Sequence, residues 1–222
     1  MTKEERLEKA RARAEELKRY ERELRAKGYR CIAGVDEVGR GPLAGPVAAA
    51  CVVLPEDFSV LGVDDSKKLT EKKREALYDE ILANCVCWGI GSRPAEVIDE
   101  VNILEATKLA MISAIDEADM MLKEKTGETI DFVIFDAMRI PAVDKAQMSL
   151  IKGDANSVSV AAASIVAKVW RDRLMKRYDE EYPGYGFASN KGYGTRAHYD
   201  GIKAGGLTPI HRRSFLRNLS EH

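Results

Sequence analysis

The feature that most restricts what this chain can fold into is the stretch from Ile32 to Val47, IAGVDEVGRGPLAGPV. It starts as an apolar run, carries two adjacent acids, Asp36 and Glu37, to its end, and then breaks at Gly39-Arg40-Gly41 and Gly45-Pro46. Cys31 to Val38 and Val47 to Leu54 are short β-branched runs joined by this glycine-proline turn, which predicts an opening antiparallel pair of strands. Glycine lets a backbone approach a bulky or charged ligand and adopt positive φ, and Arg40 offers a planar fork that suits phosphate oxygens. Two carboxylates beside an open backbone and an arginine suggest metal-assisted chemistry on a phosphate.

The rest of the chain supplies a setting for that stretch. At 222 residues, with 45% hydrophobic and 32% charged residues, it suits one well-buried soluble domain. No apolar run approaches the ~20 residues that span a bilayer, and the first thirty residues are charged where a signal peptide needs an apolar core. The expectation is a cytoplasmic protein without a membrane partner. Residues 2 to 27 read as one exposed, charged helix with Leu7, Ala10, Ala14, Leu17 and Leu24 on a weak seam and Gly28 as its stop, so that 1–28 form a helical extension and 29–222 the main domain. Thr70 caps a predicted helix to about Ala83, Val86 to Ile90 is a third strand, and Pro94 opens a short helix. A long amphipathic helix runs through Leu104, Ala110, Ile115, Ala118 and Leu122 and stops before Gly127. Phe132 to Phe135 is a fully apolar strand ending at Asp136, Met148 to Ile151 a short partner, and Ser159 to about Tyr178 an alanine-rich helix that must pack closely on a sheet. Thr195 caps a last helix ending near Gly205-Gly206. A hairpin, a third strand and then alternating helices and strands give an α/β fold, a mixed sheet flanked by helices.

Asp36 and Glu37 end one strand and Asp136 another, and if those strands are parallel neighbours their carboxyl ends meet at one rim. Asp154, just before the alanine-rich helix, can reach the same rim. Neighbouring strand residues point to opposite faces, so Asp36 and Glu37 converge only if the strand bends or ends between them. An isolated strand-end acid is ordinarily a solvated turn residue or cap, but three such sites beside glycine weaken that reading. The four cysteines, at 31, 51, 85 and 87, lack ligand spacing and read as buried thiols.

A net charge of −1 gives no global attraction to nucleic acid, so any binding must be local. Lys191, Arg196, Lys203, Arg212, Arg213 and Arg217 stand against the single acid Asp200 between residues 191 and 217, with His198 and His211 in addition, and form the basic patch of the chain. Lys67 and Lys68 offer a second phosphate contact, or else a plain charged loop before a helix. Tyr193, between Gly192 and Gly194, can stack on a sugar or base, or can anchor its loop. Ser164 and Lys168 lie four apart on one helical face and are read as packing or hydrogen-bonding beside the site. His211 reads as a surface histidine.

The Asp36-Glu37-Val38-Gly39-Arg40-Gly41 motif resembles the DExGRG signature of the bacterial type 2 ribonucleases H, ribonuclease HII. Asp65 to Leu69, Val133 to Ala137, Lys152 to Asp154 with Ala161 to Lys168, and Asn190 to Thr195 are similar to further blocks of that family and come in its order. The resemblance spans roughly residues 30 to 216 and implies a ribonuclease H-like fold. It implies that Asp36, Glu37, Asp136 and Asp154 are the acidic set that holds Mn2+ or Mg2+, with Asp154 free to join when substrate is present. It further implies that Gly39, Arg40, Gly41 and Tyr193 recognise a ribonucleotide at an RNA–DNA junction, with Lys67, Lys68, Ser164, Lys168 and Lys191 completing the substrate contacts. The expected partners are RNA–DNA hybrids and ribonucleotide-containing DNA, cut by a monomer to leave 3′-hydroxyl and 5′-phosphate ends during ribonucleotide excision repair and primer removal.

Two other classes compete. Gly39-x-Gly41-x-x-Ala44 after a strand suggests a dinucleotide site, but Pro42, Pro46 and the following strand leave no helix to start at the glycines. A non-catalytic nucleic-acid-binding module explains the basic patch but not acids at three sheet-edge positions, which repel phosphate unless a cation binds them. Within the wider family, the type 3 enzymes resemble this chain less, since they carry a sizeable N-terminal domain and lack the GRG form.

Overall fold

The computed structural model describes residues 2–216. Helices α1 (Lys3–Leu17) and α2 (Arg19–Ala26) lead into the strands β1 (Ile32–Val38) and β2 (Val47–Val53). Helix α3 (Glu71–Asn84), strand β3 (Cys87–Arg93) and helices α4 (Ala95–Val101) and α5 (Ile103–Thr126) follow, then β4 (Phe132–Asp136) and β5 (Ala146–Leu150). Helices α6 (Val158–Glu181), α7 (Phe187–Asn190) and α8 (Arg196–Gly205) close the described chain. Local chemistry accounts for most boundaries. Thr70, Ser157 and Thr195 accept a backbone N–H at the starts of α3, α6 and α8, and Gly127 ends α5 in the left-handed region.

The five strands form one sheet in the order β3-β2-β1-β4-β5. The first three are antiparallel, while β1, β4 and β5 run parallel. On one face, α5 packs Ala110, Met111, Ala114 and Leu122 against Val35, Cys51, Val133 and Phe135. On the other, α6 packs Ala162, Ala163 and Val166 against Ala50 and Val52, with Leu77 and Ile81 of α3 completing the layer. The alanines of α6 bring its backbone onto the sheet. A Cβ at Gly34 of β1 would lie 2.1 Å from the carbonyl carbon of Ser159, and one at Gly91 of β3 would lie 1.9 Å from the carbonyl oxygen of Ala110 in α5.

The amino-terminal segment departs from the single helix the sequence predicts. It is two helices meeting at Lys18, where neither glycine nor proline announces a break. Nor does it stand clear of the protein. Leu17 enters the cluster beneath α6, and Leu24 packs with Ile32, Phe132 and Val160.

Because α6 touches β1 through backbone at Gly34, Gly34→Val should lower stability by about 3 kcal/mol or more, or prevent folding. A melting curve within a degree or two of the wild type would refute the close approach of α6 to β1.

Candidate active site

Strands β1 and β4 pair in parallel from Ile32 opposite Phe132 to Val35 opposite Phe135, so Asp36 and Asp136 follow the last paired residues of neighbouring strands. Both continue the alternation that turns Ile32 and Ile134 toward Val160 of α6, and so they share that face. Glu37 belongs to the opposite series, with Val35. The strand does not end between the two acids, as the sequence suggested it must bend or do. Pairing with β2 continues through Glu37 opposite Ala49 and Val38 opposite Ala48. What ends is the pairing with β4, and past that point the charge of Asp136 bears on both Asp36 and Glu37.

The acids are held by backbone and hydroxyl groups. Asp36, 6% exposed, accepts the amide of Glu37 at 2.8 Å and a bond from Ser164, whose hydroxyl also meets Ser66 at 2.8 Å. Asp136 accepts the amide of Gly153 at 2.7 Å. Asp154 follows on the next residue, buried, 3.5 Å from the Lys67 ammonium and hydrogen-bonded to Asp65. Two non-glycine residues with positive φ, Ala137 at 45° and Lys152 at 57°, flank these acids, a backbone arrangement that costs energy and is concentrated at functional sites.

Burial, then the charges of Glu37 and Asp136, push the Asp36 carboxyl well above the usual carboxylate range. Burial also raises Glu37, opposed by Arg40 at 3.4 Å, and it raises Asp154, to which Asp65 and Asp136 add repulsion. Among the described residues, no three His, Cys, Asp or Glu side chains already converge on one ligating point. The donor chemistry nevertheless fits hard divalent cations: the groups are all carboxylates, desolvated and mutually repelling, and a cation would relieve both penalties.

Two buried guanidiniums build the adjoining glycine turn. Arg212, 0% exposed, donates to the carbonyls of Gly39, Arg40 and Gly45 at 2.6, 3.0 and 3.0 Å. Arg171 of α6 donates to the carbonyls of Ala44, Pro46 and Lys191 at 3.1, 2.9 and 2.9 Å. Burial lowers Arg171 to about 10 and Arg212 to about 9, the latter also repelled by Arg171, yet both stay charged near neutrality. Tyr193, 51% exposed, lies beside Gly41, where a Cβ would come within 3.3 Å of its ring. The Gly192 carbonyl accepts the Leu43 amide at 2.8 Å, which joins the tyrosine loop to the turn.

The backbone carbonyl of Tyr193 ends a relay of two buried histidines. The Thr208 amide can only donate, so the His211 Nδ1 it meets at 2.9 Å is an acceptor. His211 Nε2 then carries the proton and donates to His198 Nε2 at 3.0 Å, and His198 Nδ1 donates to the Tyr193 carbonyl at 2.9 Å. Both rings are neutral in this arrangement. Burial, and for His211 its partner ring, lowers both, His211 to about 4.

The predicted basic patch is therefore only partly a surface. Arg212 and both histidines are buried, so the expectation of a surface His211 is wrong, because a ring enclosed by Tyr185 and Phe187 has no water to face. Lys191 is half-buried with its ammonium on the Ala188 carbonyl, and Arg217 lies outside the described residues. Lys67 and Lys68 are exposed beside Asp154 and Asp64, and Lys168 pairs with Asp172 at 2.7 Å. Sequence reasoning missed Asp65, Ser66 and Arg171. Asp65 and Ser66 adjoin lysines that gave the stronger signal for phosphate, while Arg171 carried no local signal in the charged second half of an alanine-rich helix. The cysteines are free, three of them buried and Cys85 partly so.

A family profile described as Ribonuclease HII matches residues 33–218. The Ribonuclease HII of Listeria monocytogenes serotype 4a is 56% identical over 205 residues, which cover 92% of this chain and 75% of that protein. The Ribonuclease HII of Enterococcus faecalis is 54% identical over 200 residues, 90% of this chain and 75% of that protein. The ribonuclease H2 from Pyrococcus horikoshii superimposes with a TM-score of 0.68 at 28% identity, covering 86% of this chain and 97% of that one. The mixed sheet and its flanking helices are thus the predicted ribonuclease H-like fold.

The histidine relay sets a pH dependence. His211 is neutral in the fold down to about pH 4, whereas an unfolded histidine takes up its proton near 6.5, so acidification across that window favours unfolding. The raised Asp36 carboxyl works in the opposite sense, and only a comparison isolates the histidine. His211→Gln should flatten the acid-side fall of Tm relative to the wild type, measured by circular dichroism from pH 7 to pH 4. Parallel curves would mean that the pair is not held neutral.

Proposed function

The chain belongs to the ribonuclease HII family, and from that premise we propose that it is an endoribonuclease hydrolysing the RNA strand of RNA–DNA hybrids, including the bond 5′ to a single ribonucleotide embedded in duplex DNA. The observation that carries this reading is the parallel pairing of β1 and β4, which sets Asp36 and Asp136 on one face beside the Gly39–Gly41 turn and the exposed Tyr193. An acid cluster next to a cation-backed glycine turn favours chemistry on a phosphate over simple retention of nucleic acid. The reading assigns the catalytic domain to residues 29–222, with 1–28 as a helical extension.

Asp36, Glu37, Asp136 and Asp154 would hold two divalent ions, Mn2+ or Mg2+, which when bound supply water activation and charge neutralisation at the leaving oxygen. The protein contributes the rest. Ser164 and the Gly153 amide orient two of the acids, and Arg171 and Arg212 draw six carbonyls inward beneath the turn, with a positive field behind it. The turn from the buried Gly39 to the exposed Arg40 and Gly41 would then receive the phosphate and sugar of the ribonucleotide, with the Tyr193 ring stacked near its 2′-hydroxyl. Lys67 and Lys68 stand at the acid end, positioned for flanking phosphates of the duplex.

Such an enzyme would serve ribonucleotide excision and primer removal in the cytoplasm as a monomer. No helix among the described residues is long and apolar enough to cross a membrane.

The test is cleavage of an end-labelled duplex with one internal ribonucleotide, beside all-DNA and long-hybrid controls, in Mn2+, Mg2+ or chelator. The wild type should cut once, 5′ to the ribonucleotide, and only with metal. Asp36→Asn should lose activity by roughly 10²-fold or more while keeping its fold, and Tyr193→Ala should lose junction cutting far more than long-hybrid cutting. Full activity in Asp36→Asn would sink the acid assignment, and equal losses of Tyr193→Ala on all substrates with a collapsed Tm would return that ring to a loop anchor. A second readout needs no substrate. Since the Asp36 carboxyl is raised in the fold, its ionisation costs stability at pH 8, so Asp36→Asn should raise Tm in chelator and gain less than the wild type from added Mn2+.

A further inference from the structure

Helices α1 and α2 precede the matched residues 33–218, and their mixed charges give them the look of a solvated appendage. Two of their residues do something else. Arg13 directs a bidentate pair of bonds at Asp64, Nε to Oδ2 and Nη2 to Oδ1 at 3.1 Å each, and Nη2 also donates to the Ala155 carbonyl at 2.7 Å. One guanidinium therefore ties the loop carrying Asp64, Asp65 and Lys67 to the turn carrying Asp154. On the far side of that turn, the buried Glu21 accepts the Ser157 hydroxyl at 2.6 Å and the Ser159 amide at 3.0 Å. The first turn of α6 has no acid of its own, so Glu21 supplies the negative charge its amino terminus favours. Asp154 immediately precedes the first of these attachments.

We infer that the amino-terminal helix pair is a positioning element of the active site: Arg13 and Glu21 clamp residues 155–159 from outside and so fix Asp154 against Asp136 and Lys67. This rests on the reading of Asp154 as a member of the catalytic acid set. The physical case is one of order. Asp154 sits on a short turn led by Lys152 in a left-handed conformation, and that turn keeps one setting only if its surroundings impose it. From within, Gly153 is pinned by Asp136 at 2.7 Å and the Asn156 amide holds the Lys152 carbonyl at 2.7 Å, but the Ala155 carbonyl, the Ser157 hydroxyl and the Ser159 amide take their side-chain partners from the helix pair. A charged fork that makes three bonds across two loops is unlike the pairs formed within the helical segment itself, such as Glu15 with Lys18 and Arg22. The clamp grips backbone and hydroxyl groups around the acid, and never the acid itself. Arg13 and Glu21 therefore act through Asp154 and do not touch the reacting phosphate.

The experiment uses the full chain with Arg13→Ala and Glu21→Ala, and Glu16→Ala as a control, because Glu16 is exposed and meets only the outer nitrogen of Arg13. Cleavage of the single-ribonucleotide duplex is measured in the wild-type background and again with Asp154→Asn, and amide hydrogen exchange is followed without substrate. Arg13→Ala should lower kcat about tenfold with KM within about twofold, the scale seen when a group orienting a ligand is removed, and should do nothing more once Asp154 is Asn. Exchange at residues 152–157 should quicken about tenfold in both clamp variants, while β1 and β4 stay protected. A loss of kcat undiminished in the Asp154→Asn background, or unchanged exchange at 152–157, would overturn the proposal. A wild-type chain inactive on every RNA–DNA substrate would instead sink the functional reading, and the exchange measurement would still decide whether the clamp exists.

Discussion

Repulsion among Asp36, Glu37 and Asp136 is the constraint on which the rest of the structure depends. Carboxylates taken from water and set side by side lose twice, to desolvation and to like charge, and folding brings these together anyway. The opposing energy comes from the sheet and its cover. Parallel pairing of β1 with β4 fixes where the acids stand, and the contact of Gly34 with the α6 backbone fixes the helix that carries Ser164 to Asp36. A bulkier residue at Gly34 would separate the layers, and the acid would lose its hydroxyl partner. A site of this kind is stable by virtue of its scaffold, and it gains from whatever cation neutralises it.

The glycine turn solves the reverse problem. Arg171 and Arg212 are cations buried against backbone carbonyls, which soften the desolvation cost without cancelling the charge. Acid cluster and buried cations thus lie next to each other in a chain whose formal net charge is −1. A polyanion meeting this surface is drawn to the turn and repelled by bare acids, so the local pattern can guide a strand where the global charge cannot. The histidine relay extends the same framework, because it ties the Tyr193 carbonyl to Thr208 by way of rings enclosed in an aromatic cluster.

Much of this was legible in the amino-acid sequence, and the pattern of what was not is instructive. Helices with a side-chain cap, such as those begun by Thr70 and Thr195, and the apolar strand ending at Asp136 follow from local rules that tertiary packing did not override. Convergence of Asp36 and Asp136 required the strands to be parallel neighbours, a fact of topology that periodicity suggests and pairing supplies. Burial of charge was the part that could not be read. Arg212 and His211 stood in what looked like a solvated basic patch, because a sequence shows a charge but not the carbonyls folded around it. The break at Lys18 had no glycine or proline to mark it, and Arg171 gave no sign of pointing inward among the charges in the second half of its helix.

The helix pair at the amino terminus carries that lesson furthest. Exposed ion pairs are worth little singly, so a segment rich in Glu, Lys and Arg is reasonably read as contributing solubility and not much else. The few charges that face the domain behave differently. Arg13 exchanges water for a carboxylate and a carbonyl on two different loops, and Glu21 for a hydroxyl and an amide at the start of α6. The energy of such bonds is modest, but their placement is specific, since each joins segments more than fifty residues apart in the chain. What a charged helix contributes to a site therefore depends on the one or two charges it turns inward, and composition cannot distinguish those from the rest.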